Sequence, residues 1–358
     1  MTDAPAGGDE REGDGVAGSS LTRRQLIGGA AALAAVPAIY RFSTDSVETG
    51  MTTPRVHVDG RWLRDPNGDT VTLRGLNTVD PWWGDEHQDL RGAEYTETLT
   101  RITDTERGWH PRVVRIPYQH SVRSLGVQRT ITEYMRPVVD LLKRRGCYAI
   151  IDFHRIERWD TNTIDAELRE FWNAVAPAFA DDENVLFEMF NEPTEPYGNG
   201  QTDWDAWKET AEPWVDLIRS HAPDTPIIVG SPRWSSYTKF AQDNPFSDEN
   251  VLYSTHIYPQ HYEDYDMDAL GAVADEYPVF VTEWGYTGDR DNPEHIVGTT
   301  SGYGQQMRSF LTDHSNMSWT AWCADSVWEP RMFDTDGELL GGDAYMGVFT
   351  KEFLSENA

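Results

Sequence analysis

Two glutamates, Glu192 and Glu283, close apolar runs that read "VLFEMFNE" and "VFVTE". A carboxylate among apolar residues costs free energy unless it is paired or protonated. Two of them in one cavity are the minimum equipment for cutting a glycosidic bond. One, protonated, gives its proton to the leaving oxygen; the other, ionised, attacks the anomeric carbon. Their surroundings must then push their acidities apart. Arg115, inside another apolar run, would hold Glu283 ionised. The apolar strand around Glu192, with Asn191 beside it, favours its protonated form. A metal reading is weaker. Asp152, His154, His256 and the two glutamates include zinc-ligand types. But Asp152 and His154 share one strand face at i, i+2 spacing, and no second histidine pair joins them. No metal or other cofactor is expected.

Elements must bring these residues together. Eight short apolar runs span 71–77, 113–118, 148–154, 185–191, 226–231, 251–258, 279–284 and 318–323. Amphipathic stretches lie between them. "ITEYMRPVVDLLKRRG" (131–146) has helical spacing and a stop at Gly146, and "DWDAWKETAEPWVDLIRSHAP" (203–223) is a second helix. Strand and helix alternating eight times predicts an α/β chain folded as a (β/α)8 barrel. A doubly wound open sheet would carry a glycine-rich phosphate loop after its first strand, and "GLNTVDPWWGD" (75–85) is not one. "VHVDGRWLRDPNGDTVTLRG" (56–75) alternates apolar and polar around two turn signals and reads as a small N-terminal β-hairpin. In a barrel the active site gathers at the C-terminal strand ends. Those ends carry Asn77, Arg115, Tyr118, His154, Asn191, Glu192, Ser231, His256, Tyr258, Glu283, Trp284 and Trp322.

Composition narrows the setting. The 358 residues carry a formal net charge of -30, with only four lysines. The acidic residues are spread along the chain, and no basic stripe exists to bind nucleic acid. Multimolar salt shortens electrostatic screening to about 3 Å, so the acidity points to a halophile. Fourteen tryptophans exceed what a core needs. Trp82, Trp83, Trp159, Trp234 and Trp328 follow strand ends, where they can stack on the C–H faces of sugars. Trp204 and Trp207 lie in a helical stretch and are read as core. Cys147 and Cys323 are read as two buried thiols, not a disulfide framework.

Residues 1–50 read as leader and linker, and 51–358 as a single catalytic domain. "TRRQLI" (22–27) precedes an apolar run over 28–36 that is too short to span a bilayer. This matches a twin-arginine signal, with cleavage expected near 38–44. No cysteine follows to carry a lipid. The expected product is a secreted monomer, not membrane-bound once the signal is removed.

Together, "VVRIPY", "IDFH", "FNEP", "HIY", "VTEWG" and "WTAW" identify the chain as a member of glycoside hydrolase family 5, over roughly residues 55–345. The resemblance implies that Glu192 is the acid/base and Glu283 the nucleophile. It implies that Asn191 binds the sugar 2-hydroxyl and that Arg115 and Tyr258 support Glu283. His154 and His256 would contact the sugar and the carboxylate network, and Trp322 would form the stacking floor. It further implies a metal-free retaining mechanism with carboxyl groups about 5–5.5 Å apart. Trp284 departs from the phenylalanine common in relatives, and "CADSVWEPRMFD" does not separate cellulose from mannan. "DFHR" and "FNEP" are similar to endoglucanases acting on β-1,4-glucan, so a β-glucan is the expected partner. No appended carbohydrate-binding module is seen, which favours soluble or amorphous glucan. The alternatives are a β-mannanase or other family 5 β-glycanase, and a non-catalytic carbohydrate-binding barrel.

Overall fold

The computed structural model describes residues 51–264 and 266–356, so the leader and linker expected at 1–50 lie outside the described residues. In chain order the strands are β1 (His57–Asp59), β2 (Trp62–Arg64), β3 (Thr70–Val71), β4 (Arg74–Asn77), β5 (Val113–Tyr118), β6 (Tyr148–Phe153), β7 (Ile156–Glu157), β8 (Val185–Glu188), β9 (Glu192–Pro193), β10 (Ile227–Val229), β11 (Val251–Ile257), β12 (Val279–Trp284) and β13 (Ser318–Ala321). Strands β4, β5, β6, β8, β10, β11, β12 and β13 close into a parallel barrel, β13 returning to pair with β4. Each is separated from the next by helical segments, as the alternation predicts. Among the described residues no helix is long and apolar enough to cross a membrane.

Side chains on a strand alternate between faces, and that period builds the barrel interior in layers. Val113, Ile150, Leu186, Leu252 and Phe280 form an apolar floor. Two residues further along the same strands come Arg115, Asp152, Glu188, Ser254 and Thr282, all buried and polar. The alternate residues face the helices. Among them, Val114, Ile151, Phe187 and Val281 join the larger outer core with Trp172, Trp204, Trp207 and Trp214.

The floor is covered from below by more than a hairpin. β1, β2 and β3 form a three-stranded antiparallel sheet. Leu63 of this sheet, with Val56 just before β1 and Leu73 just after β3, packs into the floor cluster. Asp65 closes the second turn, its Oδ1 accepting the backbone N–H of Asn67 and of Asp69 at 2.9 Å each. The expected strand over 71–77 is therefore divided: its first residue belongs to β3, and the barrel strand starts at Arg74.

Other boundaries shift at the mouth. The runs 148–154, 226–231, 251–258 and 318–323 shorten to β6, β10, β11 and β13, while 279–284 stands as β12. The run 185–191 loses most. After Glu188 the chain crosses from the β10 side to the β6 side of the barrel. Met189 N–H still donates to Ile228 O at 2.9 Å, but Asn191 N–H donates to Phe153 O at 3.2 Å and Glu192 N–H to Arg155 O at 3.0 Å. β9 then pairs with β7 outside the barrel. The helix expected over 131–146 opens with a π-helical turn, Ile131–Met135, and continues as Arg136–Arg144. Gly146 at φ 68° ends it, a left-handed position that suits glycine. The second expected helix spans Gln201–His221.

Candidate active site

The polar layer is organised by Arg115, which is fully buried. Its guanidinium is planar, permanently charged and has five donors. Nη1 donates to Glu283 Oε1 at 2.8 Å and to Asn77 Oδ1 at 2.9 Å. Nη2 donates to Asn191 Oδ1 at 2.6 Å and pairs with Asp152 Oδ2 at 3.0 Å. Nε bonds Glu188. Burial opposes this charge, but Asp152, Glu188 and Glu283 outweigh burial and raise its pKa. One arginine thus joins β4, β5, β6, β8 and β12 at one level of the barrel.

Glu283, on β12, also accepts from the Tyr258 hydroxyl at 2.7 Å. Burial alone would raise its pKa. The charges of His256, Arg115 and His154, with the Tyr258 bond, overcome that and hold it below its ordinary value. His256 stands between the two glutamates. Its Nδ1 lies 2.7 Å from Glu192 Oε1 and 3.6 Å from Glu283 Oε2, and its Nε2 lies 3.0 Å from Thr282 Oγ1. Burial disfavours the imidazolium, but Glu283 and Glu192 reverse this and raise its pKa.

Glu192 lies on β9 at the mouth. Its carboxylate is fixed to an imidazole, so the apolar setting expected for it is replaced by a polar one. The reason is the crossing after Glu188, which carries the side chain beyond the apolar run. Glu192, His256 and Glu283 each offer a ligand atom within 4.8 Å of the others. Among the described residues this is the one group of three or more such side chains close enough to share a metal. Yet both oxygens of Glu283 already accept protein hydrogen bonds, and the Arg115 charge beside them would repel a cation.

The other expected residues converge here too. His154, just past β6, places Nδ1 2.6 Å from Asp152 Oδ2. Its ring stacks on Trp322, with centroids 5.7 Å apart and planes 5° apart. Trp322 follows β13 and donates its indole N–H to Glu329 O at 3.3 Å. Glu188 was missed. It is wholly buried, and burial, with Asp152 adding to it, pushes its carboxyl to about 7 against the pull of Arg115. Its signal was a lone acid inside an apolar run, two residues past a floor position.

Two arms leave this centre. The first comes from segments after β4, β5, β6 and β13, and is lined by Trp83, His120, His154, Ile156, Trp322 and Trp328. Trp83 sits on the helix Pro81–Glu86, capped by Asp80, whose Oδ1 accepts the Trp82 and Trp83 N–H groups at 3.0 and 3.3 Å. Trp328 meets Trp83 edge-on at 5.5 Å and remains 40% exposed, an aromatic face without a full protein partner. The second arm comes from segments after β8, β10 and β11, across the ring of strands. Tyr197, Arg233, Trp234, Ser236, Gln260 and His261 line it.

The turn that opens the second arm is strained. Arg233, Trp234 and Ser235 have φ of 60°, 54° and 55°, a left-handed conformation costing each about 1–2 kcal/mol. Ser235 Oγ donates to Asn191 O at 2.7 Å, and Arg233 N–H to Thr194 O at 3.2 Å. Gly230 permits the close approach, since a Cβ there would lie 2.6 Å from Phe190 O.

The expected cleft aromatics therefore divide. Trp83 and Trp328 line the first arm and Trp234 the second. Trp82 lines neither. Trp159 is only 3% exposed and packs edge-on against Trp207 at 5.7 Å. It is core because the helix Gln201–His221 covers it. Trp204 and Trp207 are buried, as are Cys147 and Cys323.

A closed parallel barrel with paired carboxylates at its mouth and aromatic arms on either side is the architecture of a clan of glycoside hydrolases. Residues 64–327 match the family described as Cellulase (glycosyl hydrolase family 5), and the chain belongs to it. Endoglucanase E-5 of Thermobifida fusca is 31% identical over 252 residues, 66% of this chain and 50% of that protein. Endoglucanase MaCel5A of Microbulbifer sp. (strain ALW1) is 29% identical over 318 residues, 83% of this chain and 57% of that protein. The chain thus spans little more than half the length of these relatives. The solved catalytic domain of Thermobifida fusca endoglucanase Cel5A (E5) superposes with a TM-score of 0.67 at 25% identity, covering 84% of this chain and 97% of that one. The β-glucanase SdGluc5_26A of Saccharophagus degradans shares the fold, with a TM-score of 0.71 at 23% identity over 88% of this chain and 97% of that one.

Proposed function

We propose that this protein is a secreted, salt-adapted endo-β-1,4-glucanase that cleaves with retention of configuration. The observation that carries the reading is the pair Glu192 and Glu283. Their nearest oxygens lie within 4.8 Å, a separation suited to direct attack on carbon and too small to seat a water between them. Glu283 is held ionised by Arg115 and Tyr258 and is the nucleophile. Its oxygen bonds to the anomeric carbon while Glu192 gives its proton to the departing glycosidic oxygen. Glu192, now a carboxylate beside His256, takes a proton from water. That water breaks the glycosyl ester and releases Glu283. Asn191, with Oδ1 fixed by Arg115 and one amide N–H directed to Arg155 O at 3.5 Å, has its other N–H to meet the sugar 2-hydroxyl. His154, backed by Asp152, and Trp322 form the floor beneath the ring.

The endoglucanase names of the relatives support β-glucan as substrate. Residues 20–40 support export by the twin-arginine route, which accepts folded proteins. The net charge of -30 supports function in concentrated salt, where self-repulsion is screened. The test is reducing-sugar release from carboxymethyl cellulose, lichenan and galactomannan in multimolar salt, with the first-formed anomer read by NMR. Release from the glucans with β product is expected. Release from galactomannan alone, or α product, overturns the substrate or the mechanism. A circular dichroism melt equally high in dilute buffer removes the salt adaptation.

A further inference from the structure

We propose that the second arm of the cleft binds a carboxylate-bearing sugar unit of an acidic β-glycan, and that Arg233 selects it. The proposal rests on reading the cleft as a glycanase site.

Charge makes the case first. The chain has 60 acidic and 30 basic residues, so a guanidinium in it has many carboxylates to pair with. Arg91, Arg136 and Arg219 all have one at 2.6–2.7 Å. Among the described residues Arg233 has no ion pair and no side-chain hydrogen bond, although it is exposed. None of the residues lining the arm is acidic. With charges screened beyond about 3 Å in multimolar salt, only a cation in direct contact can hold a carboxylate, and here the arm offers one.

Backbone geometry makes the case independently. Arg233 and Trp234 are held in consecutive left-handed conformations, which side chains of their size avoid. Strain of this kind persists only where surrounding structure enforces it, and it gathers at ligand sites. The enforcing bonds run to Asn191 and Thr194, which flank Glu192 in sequence. The turn is thus indexed to the carboxylate pair. It sets Arg233 beside Trp234, whose ring lies 5.5 Å from Tyr197. An aromatic platform and a forked, permanently charged donor are the two groups needed to seat a pyranose and its carboxylate. At its inner end the arm reaches His261, 6.3 Å ring to ring from Tyr258, the residue bonded to Glu283. The first arm offers no cation of this kind.

The test uses the full chain, Arg233→Gln and Arg233→Lys, at one fixed salt concentration. Two substrates are compared: cellulose partly oxidised to C6 carboxylates, and neutral lichenan. Arg233→Gln is expected to raise KM on the carboxylated polymer about tenfold, the loss of one charge-assisted contact. KM on lichenan should stay within twofold, and Arg233→Lys should recover part of the loss. An equal loss on both polymers, or none on the carboxylated one, overturns the proposal. If the parent cleaves neither polymer, the glucanase reading has failed, and binding decides the arm separately. Tryptophan fluorescence is then titrated with a β-linked oligosaccharide containing glucuronic acid. Weaker binding by Arg233→Gln sustains the site; unchanged binding ends it.

Discussion

Trp83 and Trp328 stand in one arm of the cleft on backbone that has nothing to resist. The first is carried by a capped helix, and both meet histidines and each other at ordinary ring distances. Arg233 and Trp234 stand in the other arm on a turn that every local preference opposes. The first arm is aromatic and neutral apart from its histidines and the capping Asp80; the second mixes an aromatic pair with a free cation. A wall of aromatic faces suits what all pyranoses share. A strained, charged turn is specific to fewer ligands. The contrast places generic grip and selectivity on opposite sides of one carboxylate pair.

The largest test removes what both arms serve. Glu283→Ala and Glu192→Gln are each expected to cut kcat by on the order of 10⁴-fold, while cello-oligosaccharide binding, followed by tryptophan fluorescence, persists. Turnover within tenfold of the parent in either variant would deny the pair its role and leave the arms with nothing to compare. A smaller effect separates the arms. Trp328→Ala is expected to raise KM about fivefold to tenfold on neutral and carboxylated glucans alike. Trp234→Ala should instead act together with Arg233→Gln, the double variant losing less than the product of the two single losses. Simple multiplication of the Trp234→Ala and Arg233→Gln losses would erase the distinction.

The smallest effect concerns the centre from which the arms diverge. Glu188 keeps its proton to about pH 7 in the folded protein, against an ordinary value of 4.5. Between those values the unfolded chain has released a proton that the folded chain still holds, so stability from this group falls as pH rises. Glu188→Gln has no proton to lose and still offers an oxygen to Arg115 Nε. Its Tm should match the parent near pH 4.5, exceed it by a few degrees at pH 8, and gain nothing further above that. A variant equally or less stable at pH 8 would show that Glu188 is held as a carboxylate.

The barrel and its mouth were legible because they depend on local pattern. Apolar runs marked the strands, and residues at their ends marked the site. Arg115, His154, Asn191, His256, Tyr258 and Trp322 all gather around Glu192 and Glu283, since strand ends in a closed barrel have one place to go. What stayed hidden depends on distant partners. Trp159 follows a strand end just as Trp83 does, and only a helix more than forty residues later makes it core. The polar setting of Glu192 required the chain to leave one neighbouring strand for another, and no local preference encodes that choice. The left-handed turn at Arg233 contradicts its own residue types, so no reading of propensity finds it.

The sheet of β1, β2 and β3 also decides where this protein can be cut. Val56 and Leu63 are nearly inaccessible, and Tyr148, inside the barrel wall, donates to Pro54 O at 2.6 Å. Arg55 reaches Thr225 and Ala180, and Val58 N–H reaches Asn250. The family match begins at residue 64, within this sheet. A recombinant fragment started there, or a fusion partner spliced just ahead of Arg74, would open the barrel from beneath and wet its apolar floor. The safe junction lies ahead of Thr53, some twenty residues before the first barrel strand.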